Sequence, residues 1–242
     1  MNNYLGAYQL LKLRPLDFGA FKGQKVLTGS TCINPSLYDA WSLSWTEDGQ
    51  HNWNIPKTQF QLSDRQIKAI QAWADPKFND HKLGWVNIFH ELDTLRQYYH
   101  LFFSTKLDAV AIAIYFPGDA LSEIIKAFEP QSKQEGQIGI LRSLKKQIPE
   151  SKGEGKFIGY DLIGIEISGA YHSFHCYDCT QELLDKFQLT LNKYGLIDAL
   201  KNPQQVLDFA HNPENGLPSI PWFLVKVKQV DLSSGYSQKL LE

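Results

Sequence analysis

Along this chain apolar positions alternate with polar ones, recur at helical spacing, or run together, and each pattern predicts an element. Trp41, Leu43 and Trp45 alternate with Ser42 and Ser44, the two-residue period of a strand with one apolar face. Asp48-Gly49 is a hairpin turn pair, and residues 51–55 are placed to return as the partner strand. The period then changes. Ser63, followed by Asp64, Arg65 and Gln66, matches a capping box, with Gln66 reaching back to the Ser63 amide. Ile67, Ile70, Trp73 and Ala74 continue a helix expected to stop before Pro76. Ile88, Leu92, Leu95 and Tyr99 predict a second helix over about residues 87–99.

Residues 108–116 form an apolar run of strand length, which predicts a strand buried on both faces. Pro117-Gly118 ends it, and Asp119 is placed to cap a helix through about Phe128. A further helix is expected over 138–147, then a mobile surface loop over 149–156, rich in Gly, Lys and Glu. Beyond the loop, Ile163, Ile165 and Ile167 mark one face of a strand over 160–168. A turn at Gly169-Ala170 would return the chain as a partner strand over 171–177. In that register Ile167 faces His172, Glu166 faces Ser173, Ile165 faces Phe174 and Ile163 faces Cys176. Thr180 is set to N-cap a helix reaching Phe187, and Pro203 to open one ending at His211. Residues 222–230 alternate as an edge or half-exposed strand, with Lys226 and Lys228 on one face. Together these elements predict a single α+β domain over residues 1–242, a mixed, largely antiparallel sheet packed against helices. The 149–156 stretch is the one weak candidate boundary.

Composition narrows the class. The chain has 242 residues, 43% hydrophobic and 21% charged, which excludes a disordered, collagenous or coiled-coil protein. A formal net charge of −2 provides no basic field for nucleic acid or an anionic membrane. No apolar run approaches the roughly 20 residues that span a bilayer. The start lacks the basic n-region of a secretory signal. Cys32, Cys176 and Cys179 are too few and odd in number for a disulfide framework, and point to a reducing cytoplasm. Aromatic residues reach 13%, which suits a dense core or a recognition surface. Tyr38, Trp41, Trp45 and Trp53, with His51, Asn52 and Asn54 beside them, are the candidate partner-binding surface; the alternative is a sheet face buried against helices.

Candidate chemistry concentrates between Tyr171 and Cys179. His172, His175, Cys176 and Cys179 are the residue types that ligate zinc. On a strand, however, His172 and His175 point to opposite faces, which favours a core histidine and a core thiol. Glu166, Ser173 and His175 would share the other face, the composition of a nucleophile, base and orienter. No Gly-x-Ser-x-Gly elbow accompanies them, so a solvated polar face is the competing reading. His90-Glu91 begins a zinc-protease helix motif, but Thr94 stands where its second His belongs. Gly153-Glu154-Gly155-Lys156 fits a flexible loop better than a phosphate cradle, and no nucleotide-binding loop is present. No cofactor is expected.

The second half of the chain resembles bacterial immunity-type proteins encoded beside polymorphic toxins. The resemblance lies in Gly164-Ile-Glu-Ile-Ser, His172-Ser-Phe-His, Asn192-Lys-Tyr-Gly-Leu and a late Pro221-Trp222-Phe strand, about a third of the chain. It implies a cytoplasmic domain that binds and blocks one cognate toxin without chemistry of its own. Asp178, Glu182, Asp185, Asp198 and Asp208 outnumber Lys186, Lys193 and Lys201, which suits a basic protein partner. Two expectations stand: a non-enzymatic binding protein, or a metal- or Cys/His-dependent hydrolase using residues 172–179.

Overall fold

A computed structural model describes residues 2–16, 21–30, 33–34, 37–38, 60–84, 87–105, 108–134, 139–166, 171–177 and 179–233. Trp41, Trp45 and Trp53, the Asp48-Gly49 turn, Ile167, the Gly169-Ala170 turn and Asp178 lie outside the described residues.

The chain runs through β1 (Asn3–Lys12), the short pair β2 (Arg14–Pro15) and β3 (Lys25–Val26), then α1 (Asp64–Asn79), β4 (Leu83–Gly84) and β5 (Ile88–Phe89). It continues through α2 (Leu92–Phe102), β6 (Ala109–Pro117), α3 (Leu121–Gln134) and α4 (Gly139–Lys145). The last third holds β7 (Lys156–Ile165), β8 (Tyr171–Ser173), α5 (Thr180–Phe187), α6 (Pro203–His211) and β9 (Trp222–Gln229). Seven strands form one sheet in the order β4-β5-β1-β6-β9-β7-β8. Every described pairing is antiparallel, so the expected mixed sheet is an antiparallel one. The fold is α+β. Strands on both sides of residues 149–156 belong to this one sheet.

Strand alternation builds the core on both faces. One face presents Leu5, Tyr8, Leu10, Ala113 and Tyr115 to α1 and α2, and further along presents Leu162, Trp222 and Leu224 to α5 and α6. The opposite face presents Ala7, Leu11, Ile112, Ile114, Ile163, Val225 and Val227 to α3 and α4. The apolar run of β6 is buried from Ala111 to Phe116 because helices cover both its faces.

Three local expectations need correction. The capping box forms as expected, with the Ser63 hydroxyl accepting from the Gln66 amide, but α1 continues through Pro76 to Asn79. Proline sacrifices one helical hydrogen bond yet its fixed φ suits the helix, and bonds from Asp80 and Lys82 back to Pro76 and Lys77 close the end. The second helix starts at Leu92, because Asn87 is left-handed (φ 64°) and Ile88 and Phe89 pair in the sheet. Strand β9 is central, between β6 and β7, not an edge. Its lysines find a partner in Glu150, at 3.0 Å from Lys226 and 3.5 Å from Lys228.

The expected loose loop at 149–156 is tied across the sheet between the two helix pairs. Leu5 donates its amide to Ile148, Glu150 also accepts from Asn3 Nδ2 at 2.6 Å, and Glu154 pairs with Arg96 at 2.5 Å. Burial works to raise the Glu150 carboxyl, but hydrogen bonds from Asn3 and Lys226 and the two lysine charges outweigh it and hold the acid below its ordinary range. Among the described residues no helix is long and apolar enough to cross a membrane.

Candidate functional site

The site begins with a register. Strand β8 pairs Ile163 with Ser173, Gly164 with His172 and Ile165 with Tyr171, three residues away from the register expected of a tight turn at Gly169-Ala170. The connection spans residues 166–170, and an odd shift exchanges the two faces of the strand. Ser173 therefore joins the buried face with Ile163, while His172 turns outward to the half-buried side. The strand stops there. A 3-10 turn over Phe174–Cys176 follows, its start fixed by the Ser173 hydroxyl accepting from the His175 amide at 3.4 Å.

Ser173 lands on an acid that the strand pattern hid. Asp161 is two residues before Ile163 and shares its face, where it is almost fully buried. Its carboxyl accepts from Thr28 Oγ1 at 2.9 Å and from Ser173 Oγ at 3.2 Å. Burial pushes this acid up to about 7, with the hydrogen bonds from Thr28, Ser173 and the Leu162 amide pulling partly back.

His175 lies close by with a different commitment. Its Nε2 donates to the Gly195 carbonyl at 2.7 Å, an acceptor aimed by the left-handed φ of Gly195 (70°). Its Nδ1 is buried and has no hydrogen-bond partner among the described residues, and its ring packs on Phe174 with centroids 4.1 Å apart. Burial lowers it to about 4, with the bond to Gly195 acting in the opposite sense. The ring is neutral. Segment 27–30 roofs this interior, and at Gly29 it comes so near β1 that a Cβ would sit 2.3 Å from Gln9 Oε1. Gln9 is fully buried, and neither end of its amide finds a protein partner among the described residues.

The sequence-derived candidates are thereby separated. Glu166 pairs with His172 Nε2 at 2.8 Å, not with Ser173 or His175. The Ser173 hydroxyl is occupied by Asp161 and by the His175 amide, so the His175 ring is not its base. Ser173 is not on a solvated face; it is fully buried. Cys176 Sγ lies 3.1 Å from Ser30 Oγ beside Leu16, Val26 and Ile33, whereas Cys179 packs in the cluster under α5 and α6. Among the described residues no three His, Cys, Asp or Glu side chains converge as metal ligands. Cys179, not Thr180, holds the N-cap position of α5; the Thr180 hydroxyl donates instead to Phe174 and Tyr177 carbonyls. Tyr38 is core and not contact surface, its hydroxyl donating to Ile88 O at 2.8 Å and its ring set edge-on against Phe89 and Tyr98.

Two further features lie at the surface. Glu182 and Asp185 on α5, Asp208 on α6, and Asp198 and Glu214 nearby are all exposed. A cleft of about 630 Å³ lies between the end of α2, the start of β6 and residues 229–233, and none of the candidate residues lines it. Compared with known proteins, the chain matches no family model, no curated protein and no solved structure.

Proposed function

We propose that this is a cytoplasmic binding protein that holds a basic protein partner against the α5–α6 face, in the manner of an immunity protein blocking a cognate toxin. The supporting observation is that Glu182 and Asp185 of α5, Asp208 of α6, and Asp198 and Glu214 in the adjoining segments are all exposed. One of the lysines among them, Lys186, is also exposed and lies over the Phe209 ring at 4.8 Å. An acidic face of this kind steers a basic partner and speeds its association. The same helices are anchored from beneath by Leu183, Val206 and Phe209, which gives the face a rigid backing. The internal commitments of Ser173, His175 and Cys176 favour binding over hydrolysis by residues 172–179.

Coexpression with the product of the adjacent gene tests this reading. The expected result is a stable complex, protection from that product's toxicity, and an association rate that falls steeply with salt. The triple charge reversal E182K/D185K/D208K should slow association at least tenfold while leaving the thermal midpoint nearly unchanged. A complex that forms equally fast with the reversed surface places the interface elsewhere, and the absence of any complex or protection rejects the reading.

A further inference from the structure

We propose that Asp161 is a proton-operated latch: protonated, its carboxyl holds residues 27–30 closed over the interior of the sheet, and its ionisation releases that segment and opens the space around Ser173 and His175. The segment belongs to no helix or strand beyond Val26 and depends on discrete fastenings. Leu27 donates its amide to Tyr194 O at 2.8 Å, and Thr28 Oγ1 both donates to Asp161 and accepts from the Ser30 amide at 3.3 Å. The Thr28 carbonyl accepts from Asn34 Nδ2 at 3.0 Å, and Ser30 Oγ meets Cys176 Sγ. Asp161 is the one carboxyl among these fastenings, and it joins the segment to two strands at once, since Ser173 of β8 binds its other oxygen.

Among the described residues, the ionisable groups on the elements around it are Tyr171 of β8, His175 and Cys176 of the following turn, and Tyr194 opposite Leu27. Burial keeps Tyr171 and His175 uncharged. On β9 the residue opposite Asp161 is Val225, and Lys226 points to the other face, where Glu150 holds it. Arg14, at the far end of the segment, is bound to the Ile33 carbonyl, and His172 is turned out to Glu166. The groups bonded to the carboxyl are thus hydroxyls and one amide, which favour the charged form but do not neutralise it. A charge enclosed this way is relieved when the segment lifts and water reaches it. Burial places the acid at about 7 in the closed state, against an ordinary 3.8. Between pH 3.8 and about 7 the open-to-closed ratio should therefore rise about tenfold per pH unit, and above about 7, where the acid is ionised in both states, it should level off.

Residue-resolved amide exchange between pH 5.5 and 8.5, each rate normalised to its intrinsic value, reads the latch. The expected result is that protection of Leu27 and Ser30 falls about tenfold per unit from pH 5.5 to about 7 and levels off above it, while amides of β6 keep theirs. Asp161→Asn should make the segment's protection independent of pH. Ser173→Ala keeps Thr28 on the carboxyl but removes one hydrogen bond that favours the charged form, so the fall should continue to a higher pH before it levels off. This second variant decides the matter if Asp161→Asn does not fold. Wild-type protection that is flat across the range overturns the latch. So does parallel loss in β6, which would mark global destabilisation, and so does a Ser173→Ala fall that levels off at the wild-type pH or below it.

Discussion

The aromatic interior between β1, β6, α1 and α2 and the polar interior around Asp161 both bury hydrogen-bonding side chains, but they secure them differently. In the first, Tyr98 donates to Leu37 O and Tyr38 to Ile88 O, each at 2.8 Å, within a cluster whose rings lie 5.1 to 5.4 Å from Tyr98 at Trp73, Phe89, Phe102 and Phe103. Burial raises the Tyr98 phenol further above its already high range, so these donors stay neutral at any physiological pH. In the second, the buried groups are a carboxylic acid and an imidazole, and both change charge within a few units of neutrality. Backbone acceptors paired with neutral hydroxyls fix geometry unconditionally. Ionisable groups make the same geometry conditional on protons.

The largest test of that contrast is Tyr98→Ala. Tyr98 is fully buried, and truncating an aromatic of this kind costs about 3–5 kcal/mol through lost transfer energy and the cavity left behind. Denaturant unfolding at pH 5.5, 7 and 8.5 should give the same loss at each pH. A loss that varies with pH would tie the aromatic half to the titrating one.

His175→Phe probes the other half, and the sign follows from its pKa. The folded value, about 4, lies below the ordinary 6.5, so the stability due to neutral His175 is present above pH 6.5 and lost as pH falls through about 4. The loss approaches about 3 kcal/mol, at about 1.4 kcal/mol per unit. Asp161 has the opposite slope: its folded value is raised, so its contribution is complete below pH 3.8 and is lost as pH rises through about 7. His90, buried with Nδ1 on Ser143 and lowered to about 3 by burial, adds a second acid-side loss. Stability measured at stepped pH should therefore rise less steeply with pH between 4 and 6.5 in His175→Phe than in the wild type, by about 1.4 kcal/mol per unit. An unchanged slope would mean that His175 is solvated in the folded state.

The two halves were also unequally legible in the sequence. The aromatic half announces itself through local pattern: the capping box at Ser63, the helical spacing of Ile67 and Ile70, and the unbroken apolar run of β6. The polar half is assembled from Thr28, Asp161 and Ser173, which no local period connects. Its only sequence signal is a charged residue inside a strand of apolar alternation. The register of β8 is not legible in the sequence because it depends on connection length, and a strand pairs as well in one frame as in the next until a buried face selects between them. Lysines on β9 suggested an edge for the same reason: alternation reports a polar side chain but not Glu150, 76 residues away in the chain, which receives it. Of the acidic face, the charges were legible and their exposure on α5 and α6 was not.

The smallest effect sharpens the comparison most narrowly. Ser63→Ala removes the side-chain acceptor for the Gln66 amide and one partner of the Gln66 side chain, at an exposed position with no core contact of its own. Loss of such a cap costs about 1 kcal/mol when helix and protein unfold together. Helix α1 carries Trp73, whose ring lies 5.1 Å from Tyr98, so the cap is linked to the aromatic cluster through a single packed helix. The expected outcome is a global loss of about 1 kcal/mol in denaturant unfolding, equal at pH 5.5 and 8.5. Faster exchange confined to the first turn of α1, with global stability unchanged, would instead show that the helix end frays alone and that the aromatic half holds Tyr98 without it.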